Sequence, residues 1–185
     1  FRCHHRLKYI FQALTELFEK YVPHTLHFLH ERAKAVVPIE DMALVSSLLC
    51  MLEGVIVAGV AEDQFKLETA FVFCTIWAFG SALMMSDDGV DHRKAFSDWW
   101  KTNFKHIRLP TRETTFDYWL DPASNKFEPW RQSPSFHAVA FDSRIMKMDE
   151  TTVPTTETAS ISHWGNLFIH QSKPLLLVGP SGPKE

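Results

Sequence analysis

The chain has 185 residues, of which 45% are apolar and 13% aromatic, enough for a packed core in one domain or parts of two, and this excludes global disorder. A net charge of −3 and a pI near 6.4 supply no basic surface for nucleic acid or for an acidic membrane. No stretch reaches the ~18 uninterrupted apolar residues of a membrane-spanning helix.

The elements follow in chain order. Leu7, Ile10, Phe11, Leu14, Leu17, Phe18 and Tyr21 recur at steps of three and four, which predicts an amphipathic helix over about 6–22, closed by Pro23. Leu26, Leu29, Ala33 and Val36 predict a second helix, stopped by Pro38. From 40 to 58 the apolar positions cover a wide face, as in a helix buried on more than one side. A further helix is expected over 62–84. Its centre, Phe71 to Gly80, is rich enough in β-branched and aromatic residues for a strand, but its length favours helix. A fifth runs over 91–104, with Phe96, Trp99, Trp100 and Phe104 near one stripe.

After Arg108-Leu109-Pro110 the pattern changes. Thr115 to Leu120 and Phe127 to Trp130 flank the turn formers Asp121 to Lys126, which predicts a β-hairpin. Residues 133–150 are expected to be an irregular connector. Within it Ala138 to Asp142 only faintly mimics a Walker B strand, and in the wrong chain order. A helix over 157–171 follows, capped by Thr155 or Thr156, with Ile161, Trp164, Leu167 and Phe168 facing inward.

Pro174-Leu175-Leu176-Leu177-Val178 has the look of a buried parallel strand. It enters Gly179-Pro180-Ser181-Gly182, the opening of a G-x-x-x-x-G-K-[ST] phosphate loop, whose N–H groups would cradle phosphate. Pro183-Lys184-Glu185 follows instead of the second Gly, the Lys and the Mg²⁺-binding hydroxyl. The opening Phe1-Arg2-Cys3-His4-His5 has no starting Met and no signal-peptide core. The expectation is a segment taken from a longer protein. Three widely spaced cysteines, Cys3, Cys50 and Cys74, suit a reduced, cytosolic setting.

Cys74 to Gly80, Arg93 to Trp100, Phe116-Asp117-Tyr118 with Phe127 to Trp130, Val153 to Thr158 and Leu177-Val178-Gly179 stand in one fixed order. In this the chain resembles the motor region of axonemal dynein heavy chains of outer-arm type, over essentially its whole length. In that family the motor is a ring of six AAA+ modules. The resemblance implies a mainly α fold. Residues 1–105 would be the helical AAA+ small subdomain, or lid, of the second module, and 106–150 a hairpin-bearing link. Residues 151–185 would be the first helix and strand of the third module's α/β P-loop large subdomain. It further implies ATP and Mg²⁺ in the parent protein and none for the fragment alone. The partners would be neighbouring AAA+ modules, dynein intermediate and light chains and microtubules, and the location the cytoskeleton of the ciliary axoneme. The fragment itself would be structural and inactive, with no catalytic residue and no metal ligand. Gly179, Pro180, Ser181 and Gly182 would match the first half of a Walker A loop, and Val153, Pro154 and Thr155 the loop beside the adenine.

Plainer readings compete at each position. Val153 to Thr155 also serves as a simple loop and helix cap. His24, His27 and His30 could share a helix face but lack a second ligand-bearing element, so a polar face is expected, as for Cys3-His4-His5. Arg93 could reach a neighbouring nucleotide, with solvated surface the default. Two rivals to the motor fragment are a stand-alone nucleotide binder and a helical interaction module. Because the strand near 175–178 would lack sheet partners, removing 151–185 is expected to improve solubility and leave the helices folded.

Overall fold

The structure, a computed structural model, describes residues 2–56, 58–61, 63–137, 144, 147 and 153–178, with the backbone alone for 2–7, 58 and 59. The helices are α1 (Arg2–Arg32), α2 (Asp41–Val55), the short α3 (Ala58–Ala61), α4 (Gln64–Gly80), α5 (His92–Asn103) and α6 (Thr156–His170). Between α5 and α6 lies an antiparallel hairpin of β1 (Tyr118–Asp121) and β2 (Lys126–Pro129). The chain is thus mainly helical with one small sheet, as expected.

The ambiguous aromatic run resolves as helix. Asp63 starts α4 by accepting hydrogen bonds from the N–H groups of Phe65 (2.9 Å) and Lys66 (3.2 Å). Leu67 and every residue from Thr69 to Gly80 are buried, which is how a helix apolar on all sides must sit. The other elements wrap it: α1, α2, α3, α5 and the hairpin all pack on α4.

Four boundaries differ from expectation. The first two predicted helices are one, because α1 runs through Pro23. An interior proline costs ~3 kcal/mol in helix stability. Tyr21, Val22 and Phe28, all buried on either side of it, contribute ~1.5–3 kcal/mol each, so packing outweighs the break. The N-terminal part of α1 is more exposed than its stripe suggested, with Phe11 at 73%. Second, α1 stops at Arg32 and α4 at Gly80, short of the predicted 36 and 84. The segments beyond them pair with each other instead: Val36 N–H donates to Ala82 O (2.8 Å) and Met84 N–H to Lys34 O (3.2 Å). Third, Thr115 to Asp117 forms a 3-10 turn rather than strand, held by the Asp117 carboxylate, which accepts from the Thr114 N–H (2.8 Å) and hydroxyl (2.6 Å).

The fourth difference is the run 175–178, which belongs to no sheet. Leu176 is 81% exposed. A parallel strand is held by neighbours on its ladder edges, and among the described residues none lies beside it. Ala138 to Asp142, read as connector, lies outside the described residues.

The hairpin turn is built as predicted. Asp121 accepts from Ala123 and Ser124 N–H (3.1 Å each), and Asn125 takes φ 54°, a conformation asparagine tolerates. Trp130, fully buried, donates its indole N–H to Phe116 O at 2.8 Å and ties the hairpin exit to its entrance.

Candidate functional site

The residues expected to face a nucleotide fall at the N-terminus of α6. The Thr155 hydroxyl accepts from Thr158 N–H (3.1 Å), and the Thr158 hydroxyl accepts from Thr155 N–H (2.8 Å). The simpler prediction, a helix cap, is what the side chains do. Val153 is 70% exposed and Pro154 half-buried. Gly179, Pro180, Ser181 and Gly182 lie outside the described residues. Two clefts among the described residues, of about 300 and 140 Å³, are lined by 34–38 with 84–87 and by 13–20 with 64–68, away from Val153 to Thr155.

What α6 does have is a built interface with α2 and α4. Ala159, Trp164 and Phe168 are buried in the same core as α4. Trp164 stacks on Phe73 (centroids 5.3 Å apart) and lies 5.9 Å from Trp77. His163 meets the rings of Trp130 (5.4 Å) and Phe73 (6.4 Å). Burial pushes the His163 imidazole down to about 4. Leu167 fits against α2 where only glycine leaves room: a Cβ on Gly54 would lie 2.6 Å from Leu167 Cγ. Trp164 and Phe168 were read correctly as the inward face and Leu167 is half-buried, but Ile161 is 48% exposed. The turn of α6 that meets the core is carried by Ala159 and Ser160 instead. Removing residues 151–185 would take away the rings that pack on Phe73, Trp77 and Trp130.

Arg93 is not a solvated surface residue. Its guanidinium sits 4.4 Å from the Phe116 ring centroid and 5.7 Å from that of Trp77, a cation–π stack across the hairpin entrance and α4. Burial pulls its pKa down, opposed by the charges of Glu157, Asp117 and Asp91. Nothing local in the sequence predicts this, because Phe116 is brought to Arg93 by the fold. A Ser97 hydroxyl that accepts from Thr115 N–H (2.9 Å) fixes the same junction.

Two histidines of α1 have surface carboxylate partners. His30 Nε2 is 2.7 Å from Asp41 and His27 Nε2 3.4 Å from Glu31. Among the described residues no three His, Cys, Asp or Glu side chains group as metal ligands. The side chains of Cys3, His4 and His5 are outside the description. Cys74 is fully buried, which pushes its thiol pKa up and leaves it unreactive at neutral pH. No helix among the described residues is long and apolar enough to cross a membrane.

A polar cluster that the sequence did not flag joins α1 to α4. Glu68 Oε1 accepts from Lys20 Nζ and from the Tyr21 hydroxyl, both at 2.7 Å. His106 Nε2 lies 2.9 Å from that hydroxyl and 3.2 Å from Lys20 Nζ. Burial opposes ionisation of Glu68, but the hydrogen bonds from Lys20 and Tyr21 and the charges of Lys20 and His106 hold its pKa below the usual carboxylate value.

Comparison with known proteins agrees with this architecture. A family model for the dynein heavy chain AAA lid domain matches residues 14–132, from α1 to the end of the hairpin. The chain is 38% identical over 173 residues to human dynein axonemal heavy chain 9, covering 91% of this chain and 4% of that protein. It is 38% identical over 175 residues to the ciliary dynein beta chain of Heliocidaris crassispina, and 32% over 172 residues to the flagellar outer-arm dynein alpha chain of Chlamydomonas reinhardtii, with the same coverage in each case. The chain thus spans about 4% of the length of these axonemal, ciliary and flagellar relatives. With the helical lid, the hairpin and the sequence match in agreement over the same residues, the chain belongs to the dynein heavy chain AAA lid family.

Proposed function

We propose that the chain is a structural, non-catalytic segment of a dynein heavy chain, the ATP-driven, minus-end-directed microtubule motor of cilia and flagella. In this reading residues 1–105 are the lid of one AAA+ module, 106–150 a hairpin-bearing link and 151–185 the start of the next large subdomain. Its partners are the neighbouring modules of the same heavy chain and, through the whole motor, intermediate and light chains and microtubules in the axoneme. ATP and Mg²⁺ serve the parent motor; Gly179 to Gly182 and Val153 to Thr155 would contribute to a site completed by residues elsewhere.

The observation that carries this reading is the shared aromatic core. Trp164 and His163 of α6 are interlocked with Phe73, Trp77 and Trp130. Rotation of the lid must then turn α6 with it, because close-packed aromatic interfaces transmit displacement rather than absorb it. Such a piece passes motion from one module to the next without binding fuel.

Titration calorimetry of the chain with ATP and Mg²⁺ tests the non-catalytic half: no saturable heat is expected, whereas saturable Mg²⁺-dependent binding would favour a stand-alone nucleotide binder. The coupling half is tested in a dynein motor carrying this segment. Trp164→Ala should slow microtubule gliding more than it slows ATP turnover, and an equal loss of both would argue against coupling.

A further inference from the structure

We propose that the part of α1 before Pro23 is a hinged arm, latched to α4 through Glu68, which can swing to open or close the gap between the two helices. Three independent features converge on it.

The hinge is Pro23. It has no N–H to offer the Glu19 carbonyl, and its ring crowds that turn. Prolines are the usual site of helix kinks. Downstream of it the helix is fixed: Thr25 is fully buried and Phe28 packs against Trp99 with ring centroids 4.9 Å apart. Upstream the anchoring holds for one turn and then thins out. Tyr21 and Val22 are buried and Phe18 meets Phe71 edge-on at 5.0 Å, but Leu14 and Leu17 are half-buried, and Tyr9 and Phe11 are 52% and 73% exposed, so a small pivot at the proline grows toward the exposed end.

The gap is the cleft of about 140 Å³ between the arm (Ala13, Glu16, Leu17, Lys20) and the start of α4 (Gln64, Leu67, Glu68). It is a surface cleft, with Glu16, Lys20 and Gln64 exposed along it, so the two helices are not in close contact there and the space between them is solvent that a shift of the arm could displace or admit. It lies on the upstream side of the proline.

The latch spans the inner end of the cleft. Glu68 takes hydrogen bonds from Lys20 and Tyr21, and His106, from the loop after α5, lies within 3.5 Å of the same carboxylate. Lys20 and Tyr21 stand within one helical turn upstream of the hinge, so one carboxylate clamps the arm to the core close to where it would begin to pivot. Lys20 is 46% exposed, so the clamp can be opened from solvent.

Double electron–electron resonance on the whole chain tests this, with nitroxides on unnatural keto amino acids at Gln12 and Ser46 so that the native cysteines stay in place. The span from Gln12 to Pro23 is ~16 Å at 1.5 Å per residue. A kink change of ~20° would therefore move the label by ~6 Å. The unmodified chain should give one narrow distance. Glu68→Ala should add a second population displaced by several ångström, and adding Pro23→Ala should restore the single narrow distance by completing the helical ladder. An unchanged distribution in Glu68→Ala overturns the latch. A distribution that stays broad in the double variant overturns the hinge. Should Glu68→Ala lose the hydrogen-exchange protection of α4, Lys20→Ala replaces it, with the same two outcomes.

Discussion

Two apolar runs in this chain look alike in sequence and behave in opposite ways. Phe71 to Gly80 forms the C-terminal turns of α4 and is wholly buried, whereas Leu175 to Val178 belongs to no element and stays exposed. The first run is long enough to close its own backbone hydrogen bonds as a helix and meets packing partners on every side. The second is only four residues long, and a strand leaves its N–H and C=O groups to be satisfied by neighbours. Apolar character alone does not decide structure; the available partners do.

The sharpest way to break the comparison is to delete a ring from the first run. Phe71→Ala removes a fully buried ring that meets Phe18 edge-on at 5.0 Å. It should cost ~3–5 kcal/mol, read as a lowered urea midpoint with little change in slope. A loss below ~1 kcal/mol would mean that the α4 core is not close-packed.

Acid should loosen the α6 side of the same core. His163 is held near 4 by burial, against an ordinary value of 6.5. The unfolded chain binds this proton more readily, so stability is full above pH ~6.5 and declines as pH falls toward 4. At ~1.4 kcal/mol per pH unit the loss amounts to ~3 kcal/mol. Urea titrations at pH 7.5 and 4.5 on the native chain and on His163→Leu isolate this group from the carboxylates. The variant should lose less stability on acidification, and equal losses would show that His163 is not buried.

Gly80→Ala tests how tightly the end of α4 is filled. The new Cβ would meet Phe116 Cζ at 2.5 Å and Phe96 Cε1 at 2.7 Å, both parts of rigid rings. Overpacking should cost ~1–3 kcal/mol, despite alanine's better helix propensity. A stabilised variant would place the hairpin entrance farther from α4. The smallest effect belongs to the second run: Leu176→Ser, at an 81% exposed site, should stay within ~0.5 kcal/mol. A larger loss would show that something covers that leucine.

Much of the architecture was legible because it is local. The stripe of α5, the turn at Asp121 to Lys126 and the cap at Thr155 are all written within a few neighbouring residues. What escaped depends on contacts between distant parts of the chain. Pro23 signals a stop, but the burial of Tyr21 and Phe28 keeps the helix going. Arg93 has the sequence context of a solvated residue, yet Phe116 and Trp77 take it in. Gly54 gives no sign that Leu167 needs its missing side chain. At the candidate site, Val153 to Thr155 were legible as a cap. The shared core of α6 was visible only as an inward stripe with no stated target, because its partners on α2 and α4 lie about ninety or more residues upstream.

The most direct measurement is native-state hydrogen exchange across α4 and α6 in the same chain. If α6 is locked into the lid core, amides near Trp164 and Phe168 should exchange with the same opening free energy as those near Phe73 and Ile76, as one cooperative unit. If α6 opens at far lower cost while α4 stays protected, the helix is a loosely docked appendage and the chain cannot pass motion from lid to next module.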